Sequence, residues 1–134
     1  MVRDRQTGDL EECVRLLRDV HEADGYPMNW PADPISWLSP PGRPLVVLRD
    51  GSVAGHVVVT PAGELSRLFV DPARRGRGLA SLLVTTAERY GARWLEVVDG
   101  RAAGFYERLG WILTGTKRAE WDASVRLRCY RKAQ

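Results

Sequence analysis

The chain of 134 residues is 44% hydrophobic and 28% charged, a composition typical of one ordinary globular domain with a sizeable core. Its formal net charge of +3 suits a small polyanionic ligand and is weak for a dedicated nucleic-acid-binding protein. No apolar run approaches the ~20 residues of a membrane span, and residues 1–5 lack the apolar core of a signal peptide. We therefore expect a cytoplasmic protein that contacts neither a membrane nor nucleic acid. The distant Cys13 and Cys129, with no histidine cluster, predict neither a disulfide nor a metal site.

The first 44 residues predict a strand, a helix and an irregular segment. Residues 1–4 can form a short strand, and Thr7 or Asp9 can cap the helix that follows. Six of the eight prolines fall in residues 24–44, so this segment is predicted to be a loop with one short helix over 34–38, capped by Asp33. The aromatic side chains of the loop either staple it to the body or line an acceptor pocket, and the two roles are compatible.

The middle of the chain predicts a hairpin followed by a strand–helix–strand unit. The β-rich runs 45–49 and 53–60 are joined by Asp50-Gly51-Ser52, a strong hairpin signal. A strand over 65–70, a helix over 79–90 and a strand over 94–98 then make a right-handed unit with parallel pairing. The core face of that helix is predicted from its apolar spacing to comprise Leu79, Leu82, Leu83, Ala87 and Tyr90.

The last third predicts a short helix over 102–109, ended by Gly110, and a closing strand pair over 111–116 and 125–131. An edge strand at the C-terminus would permit a homodimer by sheet extension.

A loop rich in arginine and glycine, Arg74-Arg75-Gly76-Arg77-Gly78, separates the central strand from its helix. Its amides would point into the helix N-terminus, where unpaired N–H groups and the macrodipole favour an anion. The absence of Gly-Lys-Ser/Thr excludes a Walker loop, and Ser81 stands where a dinucleotide fingerprint needs glycine. The loop therefore predicts a phosphate or pyrophosphate cradle.

Two motifs carry a resemblance to a known family. Arg75-x-x-Gly78-x-Ala80, between a strand ending in Val-Asp-Pro and a helix, resembles the acyl-CoA signature R/Q-x-x-G-x-G/A of the GNAT superfamily of N-acetyltransferases. The stretch from Asp99 to Trp111 resembles the N-x-x-A-x-x-F-Y-E-x-x-G-F/W block of the same family. The likeness extends over residues 44–132, while the first forty residues match only loosely.

The resemblance implies an α+β, GNAT-like fold. Its central, mostly antiparallel mixed sheet would contain one parallel splayed strand pair and would be flanked by about four helices. It also implies that residues 1–134 form a single acyl-CoA N-acyltransferase domain.

The resemblance further implies acetyl-CoA as the acyl donor, without a metal. The pyrophosphate would be held by the loop and the first helical turn: Arg75, Gly76, Arg77, Gly78, Leu79, Ala80 and Ser81. Amides of Phe69 and Val70, near a bulge in the central strand, would polarise the thioester carbonyl. Asp99 replaces the asparagine that usually touches the pantetheine arm, and an ionised aspartate accepts but cannot donate. Arg74 either reaches the outer phosphate or stays solvated.

The motifs also indicate catalytic candidates. Tyr106 would be the general acid for the leaving thiolate, or else a core aromatic. Glu64, six residues before Val70, would be the general base with a raised pKa, or else a solvated carboxylate. His56 is the other candidate base, and a water relay would make a single base unnecessary. Tyr26 and Trp30 are the candidate acceptor-binding residues.

Three functions follow from these observations. The first is an N-acetyltransferase that moves an acetyl group directly from acetyl-CoA to a primary amine of a small molecule, peptide or protein in a ternary complex. Neither cysteine lies in a nucleophile setting, which argues against an acyl-enzyme. The second is a non-catalytic domain that senses acyl-CoA. The third is a nucleic-acid-binding protein built on Arg74, Arg75 and Arg77, which no recognisable motif supports.

Overall fold

The computed structural model describes residues 1–100 and 102–133. The strands are β1 Val2–Asp4, β2 Arg43–Arg49, β3 Ser52–Val59, β4 Leu65–Val70, β5 Trp94–Val98, β6 Trp111–Arg118 and β7 Arg126–Lys132. The helices are α1 Leu10–Asp24, α2 Pro34–Trp37, α3 Leu79–Arg89 and α4 Ala102–Arg108. Single 3₁₀ turns at Thr7–Asp9 and Pro72–Arg74 precede α1 and follow β4.

The strands form two antiparallel sheets, ordered β1-β2-β3-β4 and β5-β7-β6. A parallel bridge between Glu64 and Trp94 joins them, and the carbonyl of Gly63 accepts from the amides of Arg93 (2.8 Å) and Trp94 (3.3 Å). Beyond this bridge β4 and β5 diverge, so the expected parallel pairing is reduced to one residue pair. The α+β class, the splayed strand pair and the four flanking helices of the described chain are confirmed.

The order of the second sheet corrects one expectation. The C-terminal strand β7 lies in the middle, because it pairs with β5 on one side and with β6 on the other. The edges of this sheet in the described chain are therefore β5 and β6, not the C-terminal strand, and the residues of β6 after Trp111 are all exposed.

The helices cover opposite faces of the first sheet. From α3, Leu83, Val84 and Ala87 are fully buried in the larger core cluster. From α1, Cys13 and Leu17 pack in the second cluster. The predicted face of α3 is wrong in part: Leu82 is 41% exposed, and Tyr90, which follows the last residue of the helix, is 45% exposed.

A β-bulge interrupts the pairing of β3 with β4. His56 pairs with Phe69 and Val58 pairs with Ser66, so Val57 alone faces both Arg67 and Leu68. Arg67 adopts a φ of +56°, which costs a non-glycine residue about 1–2 kcal/mol. The strand therefore carries the bulge that the sequence analysis expects, with local strain that the surrounding contacts must offset.

Two further observations bear on the class of protein. Within residues 1–100 and 102–133, no helix is both long enough and apolar enough to cross a bilayer. Cys13 and Cys129 are free thiols, the first buried and the second half-buried.

Candidate active site

The site is organised by the divergence of β4 from β5. The two strands meet at Glu64 and Trp94 and belong to separate sheets from there onward. Val70, at the end of β4, and Val97, on β5, are both partly buried against the larger core cluster. Because each strand is the edge of its sheet in the described chain, the splay leaves backbone groups available to an extended ligand.

The loop before α3 is an open cradle. The Asp71 carboxylate accepts from the amide of Ala73 (2.9 Å) and so fixes the turn that follows β4. Gly76 and Gly78 have φ of +77° and +74°, and a side-chain carbon on either would meet no other atom within 4 Å. The first hydrogen bond of α3 runs from the amide of Leu82 to the carbonyl of Gly78 (3.0 Å). The amides of residues 79–81 precede it and lie at the positive end of the helix.

The three loop arginines have different surroundings. Arg77 is exposed. Arg75 forms an ion pair with Asp24, the last residue of α1, and its side chain remains 48% exposed. Arg74 donates to the carbonyl of Arg49 (2.9 Å) and to Ser52 Oγ (3.1 Å), which fastens the β2–β3 turn to the end of β4. This contact contradicts the solvated role expected for Arg74, while its contact with an outer phosphate stays a prediction.

Asp99, on the opposite side of the splay, is already engaged by a cation. Its Oδ1 accepts from Arg128 Nε at 2.6 Å. Arg128 also lies 3.8 Å from Glu107 Oε2, and that carboxylate accepts from the hydroxyl of Tyr130 at 2.8 Å. At this position the family pattern has an amide that could donate to a ligand. This chain has a carboxylate instead, and it is held in an ion-pair network.

Tyr106 is buried in the core, with 5% of its surface exposed. Its ring packs against Phe105, Trp111 and Tyr130 at centroid distances of 5.1, 6.2 and 6.0 Å. Burial, and next the nearby Tyr26 phenol, raise the pKa of Tyr106 well above its usual range. The hydroxyl therefore stays protonated at any working pH, as a proton donor must, while its burial is also that of a core aromatic.

Glu64 is half-buried at the point where the two sheets meet. Burial raises its pKa, and the neighbouring Glu96 raises it further, while Arg67 and Lys117 oppose the shift. Lys117 Nζ lies 2.6 Å from Glu96 Oε2, so the second carboxylate is partly neutralised. A carboxyl with a raised pKa in this setting suits a general base.

His56 is fully buried and both of its ring nitrogens are occupied. Arg5 Nη1 lies 2.9 Å from Nε2, and because arginine only donates, Nε2 must be the acceptor. Nδ1 therefore carries the proton and donates to the carbonyl of Arg67 at 3.0 Å. Burial, followed by the charges of Arg5 and Arg67, lowers the pKa of His56 to about 4 despite the hydrogen bond to Arg67. These contacts argue against His56 as the base.

The aromatic residues of the 24–44 loop divide into two groups. Trp30 is held by α1, with the Arg18 guanidinium 4.7 Å above its ring and His21 at 5.4 Å. Tyr26 packs edge-on against Trp37 at 5.9 Å, and Arg67 lies 4.3 Å over the Trp37 ring. Burial raises the pKa of Tyr26 to about 12, with Arg67 opposing. Trp30 thus staples the loop, while Tyr26 packs against Trp37 and responds to the charge of Arg67.

The described residues 1–100 and 102–133 contain no group of three or more His, Cys, Asp and Glu placed to hold a metal ion. The donor set does fit the phosphates of acetyl-CoA: an exposed loop with two glycines, helix-terminal amides and the guanidinium groups of Arg75 and Arg77.

Comparison with known proteins identifies the family. The sequence matches the profile of the acetyltransferase (GNAT) family over residues 10–111. The chain belongs to this family. The GNAT match covers α1, the splayed strands, the cradle and α4.

The chain is similar in sequence to part of two acetyltransferases. Over 99 residues, the chain is 36% identical to a mycothiol acetyltransferase of Amycolatopsis mediterranei (strain U-32). It is 27% identical over 99 residues to an uncharacterized N-acetyltransferase of Methanocaldococcus jannaschii. The alignments cover 70% and 68% of this chain but 29% and 37% of the relatives. The chain therefore spans less than two fifths of their length.

Solved structures share the GNAT fold over nearly the whole chain. A ribosomal-protein-alanine N-acetyltransferase of Brucella melitensis superposes with a TM-score of 0.75 at 21% identity, covering 100% of this chain and 99% of that one. An aminoglycoside 6′-N-acetyltransferase in complex with coenzyme A gives a TM-score of 0.76 at 12% identity, covering 98% and 96%. At these identities the likeness concerns the fold alone.

Three charged residues of this GNAT site were missed by the sequence analysis: Arg67, Glu96 and Lys117. They come from β4, β5 and β6 and act on Glu64 together. No motif links them, because their proximity depends on sheet register. The alternation of β5 could have marked Glu96 as a charge on the face away from buried Leu95, but it does not place Lys117 beside it.

Proposed function

We propose that this GNAT domain, over residues 1–134, is an N-acetyltransferase that moves an acetyl group from acetyl-CoA directly to a primary amine. The observation that carries the proposal is the splay of β4 from β5, with the glycine cradle following one strand and Glu64 at the point of divergence. A second support is the fold shared with an aminoglycoside acetyltransferase solved with coenzyme A.

The cradle and the splayed strands bind different parts of acetyl-CoA. Amides of residues 76–81 and the side chains of Arg75 and Arg77 hold the pyrophosphate, with Gly78, Leu79, Ala80 and Ser81 contributing main chain. The edges of β4 and β5, with Asp99 at the far side, flank the pantetheine arm. Arg75 exchanges its partner Asp24 for phosphate, or shares the two.

Bound acetyl-CoA supplies a thioester, whose acyl carbon is the electrophile. Glu64 takes a proton from the acceptor ammonium and leaves a neutral amine to attack. The amides of Phe69 and Val70 stabilise the negative charge that develops on the carbonyl oxygen. The new C–N bond forms as the C–S bond breaks, and the Tyr106 hydroxyl gives its proton to the leaving sulfur. The nitrogen of the new amide releases its second proton to water. Tyr106 is later reprotonated from solvent.

The acceptor is a primary amine on a small molecule, a peptide or a protein. Relatives with this fold act on acceptors as different as those named in mycothiol, ribosomal-protein-alanine and aminoglycoside acetyltransferases. Tyr26 and Trp30 are the proposed acceptor-side aromatics, and the carboxylates of Glu64 and Glu96 favour a cationic amine.

A second function, acyl-CoA sensing without turnover, is favoured by one pair of observations. Arg75 and Asp99, both proposed to contact acetyl-CoA, are already paired with Asp24 and Arg128. Glu64→Gln separates the two functions, because in an enzyme it lowers turnover about 100-fold without a change in acetyl-CoA affinity.

The decisive experiment is acetyl-CoA binding by calorimetry in the wild type and in Gly78→Trp, whose side chain would fill the cradle. Gly91→Trp is the matched control, because Gly91 also has a positive φ (+100°) and open space but lies at the other end of α3. We expect binding in the wild type and in Gly91→Trp, and none in Gly78→Trp. Failure of the wild type to bind millimolar acetyl-CoA would refute the proposal.

A further inference from the structure

The buried side chain of His56 and the half-buried side chain of Arg5 form a chain of hydrogen bonds that ends on the β4 bulge. His56, 0% exposed, stacks on Phe69 at a centroid distance of 5.0 Å. Its Nδ1–H donates to the carbonyl of Arg67, the residue with positive φ in the bulge (3.0 Å), and its Nε2 accepts from Arg5 Nη1 (2.9 Å). The bulge carbonyl thus finds a fixed partner inside the protein rather than in the strand ladder.

The same network reaches the segment that precedes β2. Arg5 Nη1 also donates to the carbonyl of Leu38 (2.7 Å), and Arg5 Nη2 donates to Ser39 Oγ (2.9 Å). From the bulge itself, Arg67 Nε donates to the carbonyl of Trp37 (2.8 Å). Residues 37–39, at the end of the loop that carries Tyr26, are therefore joined to the bulge through both arginines.

We infer that Arg5 and His56 are positioning residues, which hold the β4 bulge open and tie it to residues 37–39. This rests on the proposed function, because the bulge directly precedes Phe69 and Val70, whose amides would meet the thioester carbonyl. An unsupported Arg67 would relax toward an ordinary strand conformation and shift the register of the residues after it. His56 then acts on the reaction through backbone geometry, not by taking a proton.

Three substitutions of His56 separate the two hydrogen bonds. His56→Asn places an amide N–H near the former Nδ1 and keeps the bond to Arg67, whereas His56→Gln places an oxygen near the former Nε2 and keeps the bond to Arg5. His56→Leu removes both. We expect kcat to fall about 100-fold in His56→Leu and nearly as far in His56→Gln, because small displacements of reacting groups have effects of that size. His56→Asn should retain most of the activity, and all three should bind acetyl-CoA within about threefold of the wild type, since the cradle is untouched.

Val46→Ala is the matched control for lost core packing. Val46 is also fully buried and pairs with His56 across β2 and β3, but it makes no side-chain hydrogen bond. It should lower the melting temperature without a comparable loss of kcat. If the activities of all four variants simply follow their stabilities, or if His56→Asn is no better than His56→Gln, the inference is wrong.

A measurement on the wild type keeps the inference testable if the variants fold poorly. Nitrogen chemical shifts of His56 should show the Nδ1–H tautomer without titration between about pH 5 and 8, whereas a solvated imidazole titrates near 6.5. An Nε2–H tautomer would overturn the network. Faster amide exchange at Leu68 and Phe69 in His56→Leu than in Val46→Ala tests the bulge without any activity. This readout stands even if the wild type fails to turn over an amine, an outcome that would refute the proposed function alone.

Discussion

Lys117 Nζ lies 2.6 Å from Glu96 Oε2, so a residue of the exposed edge strand β6 places its charge beside the junction of the two sheets. Glu64 lies at that junction and responds to both members of the ion pair. Burial and Glu96 raise the pKa of Glu64, while Arg67 and Lys117 lower it. The protonation of the proposed base is therefore set by three strands that converge on it.

Replacement of the proposed base tests its role directly. Glu64→Gln should lower kcat/KM about 100-fold and remove the acidic limb of the pH–rate profile. In the wild type that limb should lie above 4.5, the ordinary pKa of a glutamate, because the folded protein favours the neutral carboxyl. The measurement is kcat/KM from about pH 5 to 9, with the exposed Glu11→Gln as control. An unchanged profile in Glu64→Gln would assign proton removal to another group or to a water relay.

Replacing Glu96 and replacing Lys117 should move the acidic limb of the pH–rate profile in opposite directions. Glu96→Gln removes a like charge and should move the acidic limb to lower pH. Lys117→Met leaves Glu96 uncompensated and should move it to higher pH. In the double variant, Lys117→Met should have little further effect, because the carboxylate that it compensates is gone. Limbs that coincide in all four proteins would show that Glu64 does not sense the pair.

Loss of the Tyr106 hydroxyl should affect the leaving group alone. Tyr106→Phe keeps the buried ring and should lower kcat about 10- to 100-fold with acetyl-CoA affinity unchanged. The thiolate of an aryl thiol leaves without protonation. With an acetyl thioester of an aryl thiol as the donor, the loss of kcat in Tyr106→Phe should therefore be smaller. A deficit that is equal for both donors would leave Tyr106 as a core aromatic. The near-UV circular dichroism of the variant provides the structural control.

Asp24 should compete with phosphate for Arg75. Asp24→Asn should tighten acetyl-CoA binding about two- to fivefold at low salt, because it weakens a partly exposed ion pair. Arg75→Ala should weaken binding about tenfold or more, the usual scale of a charge-assisted hydrogen bond. If the competition is real, Asp24→Asn should have no effect in the Arg75→Ala background. Calorimetry of the four proteins closes this double-mutant cycle.

The buried imidazole of His56 should make the protein sensitive to acid. Its folded pKa of about 4 lies below the ordinary 6.5, so the unfolded chain binds more protons between these values. Stability is therefore fully present above about pH 6.5 and is lost as the pH falls toward 4. Urea unfolding should show a loss of about 2 kcal/mol between pH 7 and pH 5. Val46→Ala should keep this pH dependence of the unfolding free energy, and His56→Asn should lose most of it. An equal pH dependence in the wild type and in His56→Asn would place His56 in contact with solvent.

Local signals in the sequence were enough for most elements. Proline and the Asx cap at Asp33, which accepts from the amide of Ser36 at 3.1 Å, predict α2 correctly. Asp50-Gly51 predicts the β2–β3 turn, and Asp71-Pro72 predicts the end of β4. These features depend on φ preferences and on hydrogen bonds within a few residues. The bulge was predicted only through the family resemblance, since Arg67 itself is not a residue that favours positive φ.

Contacts between distant segments could not be predicted. The partners of Arg75 and Asp99 lie 51 and 29 residues away in sequence, and charge alone does not choose among the many arginines and carboxylates of this chain. The solvated role of Arg74 was wrong for the same reason, because its acceptors belong to a turn formed by other strands. The cradle residues were placed by motif spacing, but their roles in binding stay predictions.

The central place of β7 has a consequence for the order in which the protein assembles. Among the described strands, β5 and β6 each pair along their length only with β7. After β5 has left the ribosome, residues 99–132 must follow it before that strand can pair with β7 along its length. The wall of the cleft formed by β5 is therefore completed late, after the first sheet and the cradle have had time to fold. A chain that ends before residue 126 should expose β5 and β6 to chaperones, and should lack the assembled cleft between β4 and β5.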